Sequence, residues 1–236
     1  MGRSSVVVQI VTESTGNIAP VNTRNALIDI GFDQNNVNIH HQGSTPPECD
    51  VIVICRGIRT QELYDNVIKE AFESGTPVIF GSANVNTGED VGLSATFADL
   101  TGGWMVLSQS VLFLKVTNNT HPITLSFNEN ELFRYVSDQD FRFALPDGDD
   151  LYDSALCDLT NSGGDNLEIV DVVPIEAGHI DLKGNPTPAR CVLFGNVYGR
   201  VGYTEDGKEL IGAAMDWVVS APQPSSRTTP LMWSAF

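Results

Sequence analysis

Positive charge is what this sequence has least of. Thirteen Lys and Arg stand against thirty Asp and Glu in 236 residues, a formal net charge of −17. Binding to phosphate backbones depends on Lys and Arg displacing counterions, so the expectation is no nucleic-acid partner. The excess acid reads as a device for solubility and against association, or as adaptation to salty surroundings. Long apolar runs are missing as well. Val51–Cys55 and Val111–Leu114 fall far short of the roughly 20 residues a membrane-spanning helix needs. Met1–Ser5 leads straight into Val6-Val7-Val8 with no apolar h-region and cleavage site, and Val6 stands where a myristoylation signal wants Ser or Thr. The expectation is a cytoplasmic protein with no membrane partner. Cysteine is sparse: Cys49, Cys55, Cys157 and Cys191 show no C-x-x-C pair and no His at ligand spacing, so neither a zinc site nor a redox motif is indicated. There is no P-loop, no G-x-G-x-x-G and no H-E-x-x-H. No cofactor and no metal are expected.

What is present has the rhythm of an α/β domain. Ser5–Val11, Val37–Ile39, Val51–Cys55 and Pro77–Gly81 are strand-like and alternate with helix-like segments, the pattern of a parallel sheet with crossover helices. The uninterrupted, mostly β-branched run Val51–Cys55 suits a strand buried on both faces at the sheet centre. Pro20 marks the start of a helix over Val21–Ile30 that Gly31 ends. Thr60 can cap another, whose apolar positions Leu63, Tyr64, Val67, Ile68, Ala71 and Phe72 share one face until Gly75. From Met105 onward the chain is β-rich, with extended segments at Met105–Val116, Leu132–Val136, Leu151–Leu159, Leu167–Val173 and Arg190–Gly195. Pro146–Asp150 and Asn161–Asp165 have the Gly, Asn and Asp density of tight turns. Thr204 can cap a closing helix with Glu205 and Asp206 in its first turn and Leu210, Ile211, Ala214, Trp217 and Val218 as its buried stripe. The expected organisation is one domain over 1–220 and a Pro/Ser-rich C-terminal arm over 221–236. The arm's apolar tip, Leu231, Met232, Trp233 and Phe236, should dock on its own domain or on a neighbouring subunit.

Three blocks in order carry a resemblance. Asp50–Gly57 followed by Glu73–Gly81, His121-Pro122-Ile123-Thr124, and Ala189–Gly195 followed by Leu210–Val219 together resemble the class I glutamine amidotransferase-like superfamily, in particular its trehalose-utilisation-type, non-amidotransferase branches. The implied fold is α/β, with a flavodoxin-like or amidotransferase-like central parallel sheet, helices on both faces and a β-rich second half. Catalytic members of that superfamily carry a cysteine on a sharp turn after the strand that here ends at Phe80, a turn that exposes the sulfur beside a helix N-terminus. This sequence has Gly81-Ser82-Ala83-Asn84-Val85 there, which puts Ala83 at the nucleophile position. The late histidine is missing too, since Asn196-Val197-Tyr198-Gly199-Arg200 follows the last strand. His179, between Glu176 and Asp181, reads as a turn histidine, and it is the one histidine worth testing as a base. His40 and His41 point to opposite faces of a strand, and His121 before Pro122 suits a structural cap.

A degenerate scaffold is therefore expected: a non-catalytic structural or interaction module that assembles with itself or another protein through its arm. A virion component of a tailed phage is one such setting. The alternative is a hydrolase or small-ligand binder using the carboxyl ends of the strands. There Arg56 and Arg59 flank Gly57 and could hold an anion, and Ser82 and Asn84 complete the pocket. Asp138, Asp140, Asp147, Asp149 and Asp150 lack the spacing of a Ca²⁺ loop and suit an acidic turn.

Overall fold

The computed structural model describes residues 2–12, 18–41, 48–55, 70–81, 105–107, 113–134, 142–146, 151–161, 163–194 and 202–220. The first half of the chain contributes β1 (Val8–Thr12), α1 (Ile18–Asp29), β2 (Val37–His41), β3 (Val51–Ile54), α2 (Glu70–Glu73) and β4 (Val78–Phe80). The second half contributes β5 (Met105–Leu107), β6 (Phe113–Val116), β7 (Leu132–Phe133), β8 (Arg142–Pro146), β9 (Cys157–Thr160), β10 (Asn166–Asp171), β11 (Val173–Ile175), β12 (Cys191–Leu193) and α3 (Glu205–Ser220).

Among the described residues these strands form two six-stranded sheets, ordered β11-β12-β4-β3-β1-β2 and β5-β8-β10-β9-β6-β7. In the first, β2, β1, β3, β4 and β12 run parallel, with Val53 registered against Ile10 on one side and Ile79 on the other, and β11 closes the edge antiparallel. Strands covered on both faces favour near-continuous apolar runs, and β1, β3, β4 and β12 are buried throughout, with Gln9 and Thr12 of β1 the polar residues among them. Val8, Ile10, Val51, Val53, Ile79 and Val192 point to the face covered by α1 and α3. Val11, Ile52, Ile54, Val78, Phe80, Cys191 and Leu193 point to the other, where they meet Phe72 of α2 and Leu151 beside the 3-10 turn Tyr152–Ser154.

The helix boundaries follow local chemistry. Gly31 takes φ +102° as the chain leaves α1, with the Phe32 N–H donating to the Leu27 carbonyl at 3.1 Å. Gly75 does the same after α2, at φ +99°, with the Thr76 N–H donating to Ala71 at 2.9 Å. Both are the left-handed ending that glycine adopts without a Cβ clash. Thr204 caps α3 as expected, its Oγ1 accepting the Gly207 N–H at 3.0 Å. α1 begins at Ile18 rather than at Pro20. Proline inside a first turn costs nothing there, because that N–H has no intrahelical partner. The start of the helix expected from Thr60 lies outside the described residues. The segment Leu151–Leu159 is not extended throughout, since it opens with the turn at Tyr152–Ser154.

The second sheet is antiparallel throughout. Its Leu114, Val116, Phe133, Cys157 and Leu159 join the α1/α3 core, with Phe127 stacked on Phe133 at 4.6 Å between ring centroids. The Asn161–Asp165 turn connects β9 and β10. Asn161 Oδ1 accepts the N–H groups of Gly163 (2.8 Å) and Asp165 (3.1 Å), and Gly164 sits at φ +84°.

Leu167–Val173, expected as one extended segment, is divided at Val172. β10 belongs to the antiparallel sheet and β11 to the parallel one, and the chain passes between them with buried Val172 at φ +59°. A β-branched residue in the left-handed region is strained by ~1–3 kcal/mol. Two contacts hold it: the Val172 N–H donates to the Asp171 carboxylate at 2.7 Å, and the Val172 carbonyl accepts the Leu156 N–H at 3.0 Å. Asp171 is itself buried. Replacing Asp171→Ala should strip this N–H of its acceptor and cost ~1–3 kcal/mol. Urea unfolding should show a lower midpoint at unchanged slope; an unchanged midpoint would remove Asp171 from this role.

Candidate functional site

Open α/β sheets bind ligands beyond the carboxyl ends of their parallel strands. Here that edge is made by Thr12, His41, Cys55, Gly81 and Phe194. The parallel pairing continues past the strands themselves: Cys55 N–H donates to Val11 O (3.3 Å), Gly81 N–H to Ile54 O (2.9 Å) and Phe194 N–H to Phe80 O (2.9 Å). Behind the edge, three distant parts of the chain meet in a buried polar knot. Thr23 Oγ1 of α1 lies 2.8 Å from Cys55 Sγ and 3.0 Å from the Tyr203 hydroxyl, just before α3. Burial, only partly opposed by the Thr23 contact, pushes the Cys55 thiol up to about 12. Burial likewise holds the Tyr203 phenol well above its usual range. Both groups stay protonated at neutral pH, so the knot shares hydrogen bonds and pins α1, β3 and the entrance to α3 together, with no thiolate for nucleophilic chemistry. Cys191, fully enclosed, is pushed up by burial as well, and Cys49 rises to about 11, chiefly by burial with Asp50 adding. Cys55 and Cys191 are small core residues, fully buried. Thr12 Oγ1 and His41 Nδ1, on adjacent strands of the edge, are buried atoms with no hydrogen-bond partner among the described residues.

Arg56, Gly57, Arg59, Ser82 and Asn84 all lie outside the described residues, as do Ala83, Asn196–Arg200, the acidic turn residues and the tip Leu231, Met232, Trp233 and Phe236. The described strands fix what leads into them: Arg56 follows β3 and Cys55, and Ser82 follows β4 and Gly81, at the middle of the sheet. His40 is buried and His41 half-buried on β2, on opposite faces as expected. His179 sits in the turn between β11 and β12, its N–H donating to Glu176 O and its carbonyl accepting the Thr187 N–H at 2.7 Å.

A second region, which sequence reasoning missed, lies at the far end of α3. Arg190 Nη1 donates to the Trp217 carbonyl (2.9 Å) and to Ser220 Oγ (3.2 Å), satisfying the last turn of the helix. Its Nε pairs with Glu176 at 2.7 Å, and its guanidinium stands 4.6 Å over the Trp217 ring. His121 packs edge-on against the same ring at 5.1 Å, and its Nδ1 accepts the Ile123 N–H at 3.2 Å, the cap expected of it. Burial lowers the His121 pKa; Glu176 opposes that and Arg190 adds to it. Beside this cluster a groove of about 530 Å³ runs between the 122–126 turn and α3, with Ser220 at one end.

No family model matches the sequence, and no curated protein matches it. Solved structures do. PurLQS from Thermotoga maritima superposes with a TM-score of 0.54 over 90% of this chain and 98% of that one, at 16% identity. A ThuA-like protein from Parabacteroides merdae ATCC 43184 gives 0.53 over 91% and 90%, at 10% identity. The fold is amidotransferase-like. At such identities the likeness carries architecture alone.

The raised thiols give a pH test. Below 9.0, the ordinary thiol value, folded and unfolded chains both keep the Cys55 proton; above it the unfolded chain releases the proton first. Stability should therefore fall as pH rises from 9.0 through about 12, by ~1.4 kcal/mol per pH unit for each such thiol. Cys55→Ala should make this alkaline limb shallower in urea titrations, and an unchanged slope would show that Cys55 ionises as readily folded as unfolded.

Proposed function

We propose that this amidotransferase-like domain is a non-catalytic structural and interaction module that assembles, with itself or with another protein, through residues 221–236; a virion of the tailed-phage type is a setting that suits it. One observation carries the reading. The sequence behind β4 is Gly81-Ser82-Ala83-Asn84-Val85, with alanine where the resemblance calls for the catalytic sulfur. The raised pKa values of Cys49, Cys55 and Cys191 support it, because none of these thiols offers a substitute thiolate at neutral pH. Light scattering behind size exclusion on the whole chain and on a chain ending at Ser220 tests it. The whole chain should be the larger assembly and the shortened chain a monomer; one mass for both would remove the segment from assembly.

A second reading, a hydrolase or small-ligand binder at the strand ends, has one observation in its favour: the Thr12 hydroxyl and His41 Nδ1 at the sheet's carboxyl edge, which have no hydrogen-bond partner among the described residues. Buried polar atoms without partners are uncommon and often mark a ligand's place. Turnover of an activated ester such as p-nitrophenyl acetate, abolished by Ser82→Ala, would support this reading. Equal background rates for the two chains would end its hydrolytic form.

A further inference from the structure

We infer that the groove beside α3 is the receptor for the 231–236 tip of a second copy of this chain, so that copies associate by exchanging tips; this rests on the assembly reading above. The groove is open to solvent and its walls are mostly carbon, with Pro122 and Leu125 on one side and Ala213 and Trp217 on the other. Leu125 is 68% exposed, an unusual position for a large apolar side chain rimmed by polar residues. At about 530 Å³ the volume lies within the range of ~300–1,000 Å³ in which proteins seat small apolar ligands. Leu231-Met232-Trp233-Ser234-Ala235-Phe236 supplies side chains of the matching kind, including a tryptophan of the type that anchors interfaces.

Charge and reach select the occupant. The body of each copy is strongly acidic, whereas residues 221–236 contain no Asp or Glu and one basic residue, Arg227. That stretch can approach an acidic body without repulsion, and Glu209, exposed on the groove, offers Arg227 a carboxylate. Ser220, from which the segment departs, itself lines the groove. Residues 221–230 include Pro222, Pro224 and Pro230, and a proline-rich spacer covers ~3.1 Å per residue, ~30 Å over this stretch. Such a spacer is long enough to bring Leu231 to the groove of a neighbour. Two copies can satisfy each other reciprocally about a two-fold axis, the low-cost geometry of an exchanged element.

Leu125→Glu breaks the groove at an exposed position, and Trp233→Ala breaks the tip. Full-length chains carrying either change should associate at least tenfold more weakly than wild type in concentration-dependent light scattering, with unchanged melting temperatures. A mixture of the two variants should associate more tightly than either alone, read by energy transfer between labelled chains, because the Leu125→Glu tip still fits the Trp233→Ala groove. Ala213→Gln, on the opposite wall, should reproduce the Leu125→Glu defect and guards against a folding artefact. If Leu125→Glu and Ala213→Gln assemble as wild type while Trp233→Ala does not, the groove is overturned and the assembly reading stands. If all three assemble as wild type, both fall. A mixture no tighter than its parts overturns exchange between copies, as does a wild-type chain that is monomeric at every concentration with Trp233 shielded from quencher.

Discussion

Everything in this molecule follows from a parallel sheet that must be dry on both faces. The strands β1, β3, β4 and β12 place an apolar side chain at nearly every position, and with apolar burial contributing about 25 cal/mol per Å² neither face can be left to water. One face takes α2 and the turn at Tyr152–Ser154. The other takes α1, α3 and one side of the antiparallel sheet at once, so Leu210, Ile211, Ala214, Met215 and Val218 are enclosed completely. α3 is thereby held in place by elements from both halves of the chain. Arg3 ties it to the N-terminal part through Asp216 (2.6 Å) and the Ile30 carbonyl (2.9 Å), Lys208 reaches Asp29 (3.0 Å), and Arg190 closes its far end. A groove lined by a helix so fixed is a preformed surface, which lowers the ordering cost of binding there.

The features legible in the sequence are those whose cause is local. Val51–Cys55 reads as a central strand because burial on both faces demands an unbroken apolar run. α3 reads from its Thr204 cap and its 3.6-residue stripe, and the ends of α1 and α2 read from Gly31 and Gly75. What was not legible depends on partners far away in sequence. Nothing near Val172 signals a left-handed valine, because its conformation is imposed by two sheets competing for one strand and held by Asp171 and Leu156. Thr23, Cys55 and Tyr203 each have unremarkable neighbours, and their meeting needs the finished fold to bring residues 180 positions apart within 3.0 Å. The Arg190–Trp217 contact escaped for the same reason.

Of the candidate site, the sequence located the edge but the edge has its own chemistry. Strand order puts the carboxyl ends of β3 and β4 side by side at mid-sheet, and Arg56 and Ser82 continue the chain from Cys55 and Gly81. The described groups behind them are a thiol and a phenol whose protons are retained by burial. Such a knot rigidifies the strand ends and supplies no charge. In a site built for acyl transfer the opposite is needed, namely a nucleophile whose pKa is drawn down and a base within reach. The physical bias of this edge is toward holding shape.

Net charge gives that bias a consequence for assembly. Two chains of formal charge −17 repel on close approach, and at physiological ionic strength that repulsion is screened over ~8 Å. A broad face-to-face contact would have to bring many carboxylates within that distance and desolvate them. A spacer of ~30 Å spans several screening lengths, so it can place an acid-free, apolar tip on a neighbour while the acidic surfaces stay mostly apart. If copies assemble through residues 221–236 as proposed, the same charge that keeps the bodies from associating indiscriminately favours a contact made by a segment without Asp or Glu.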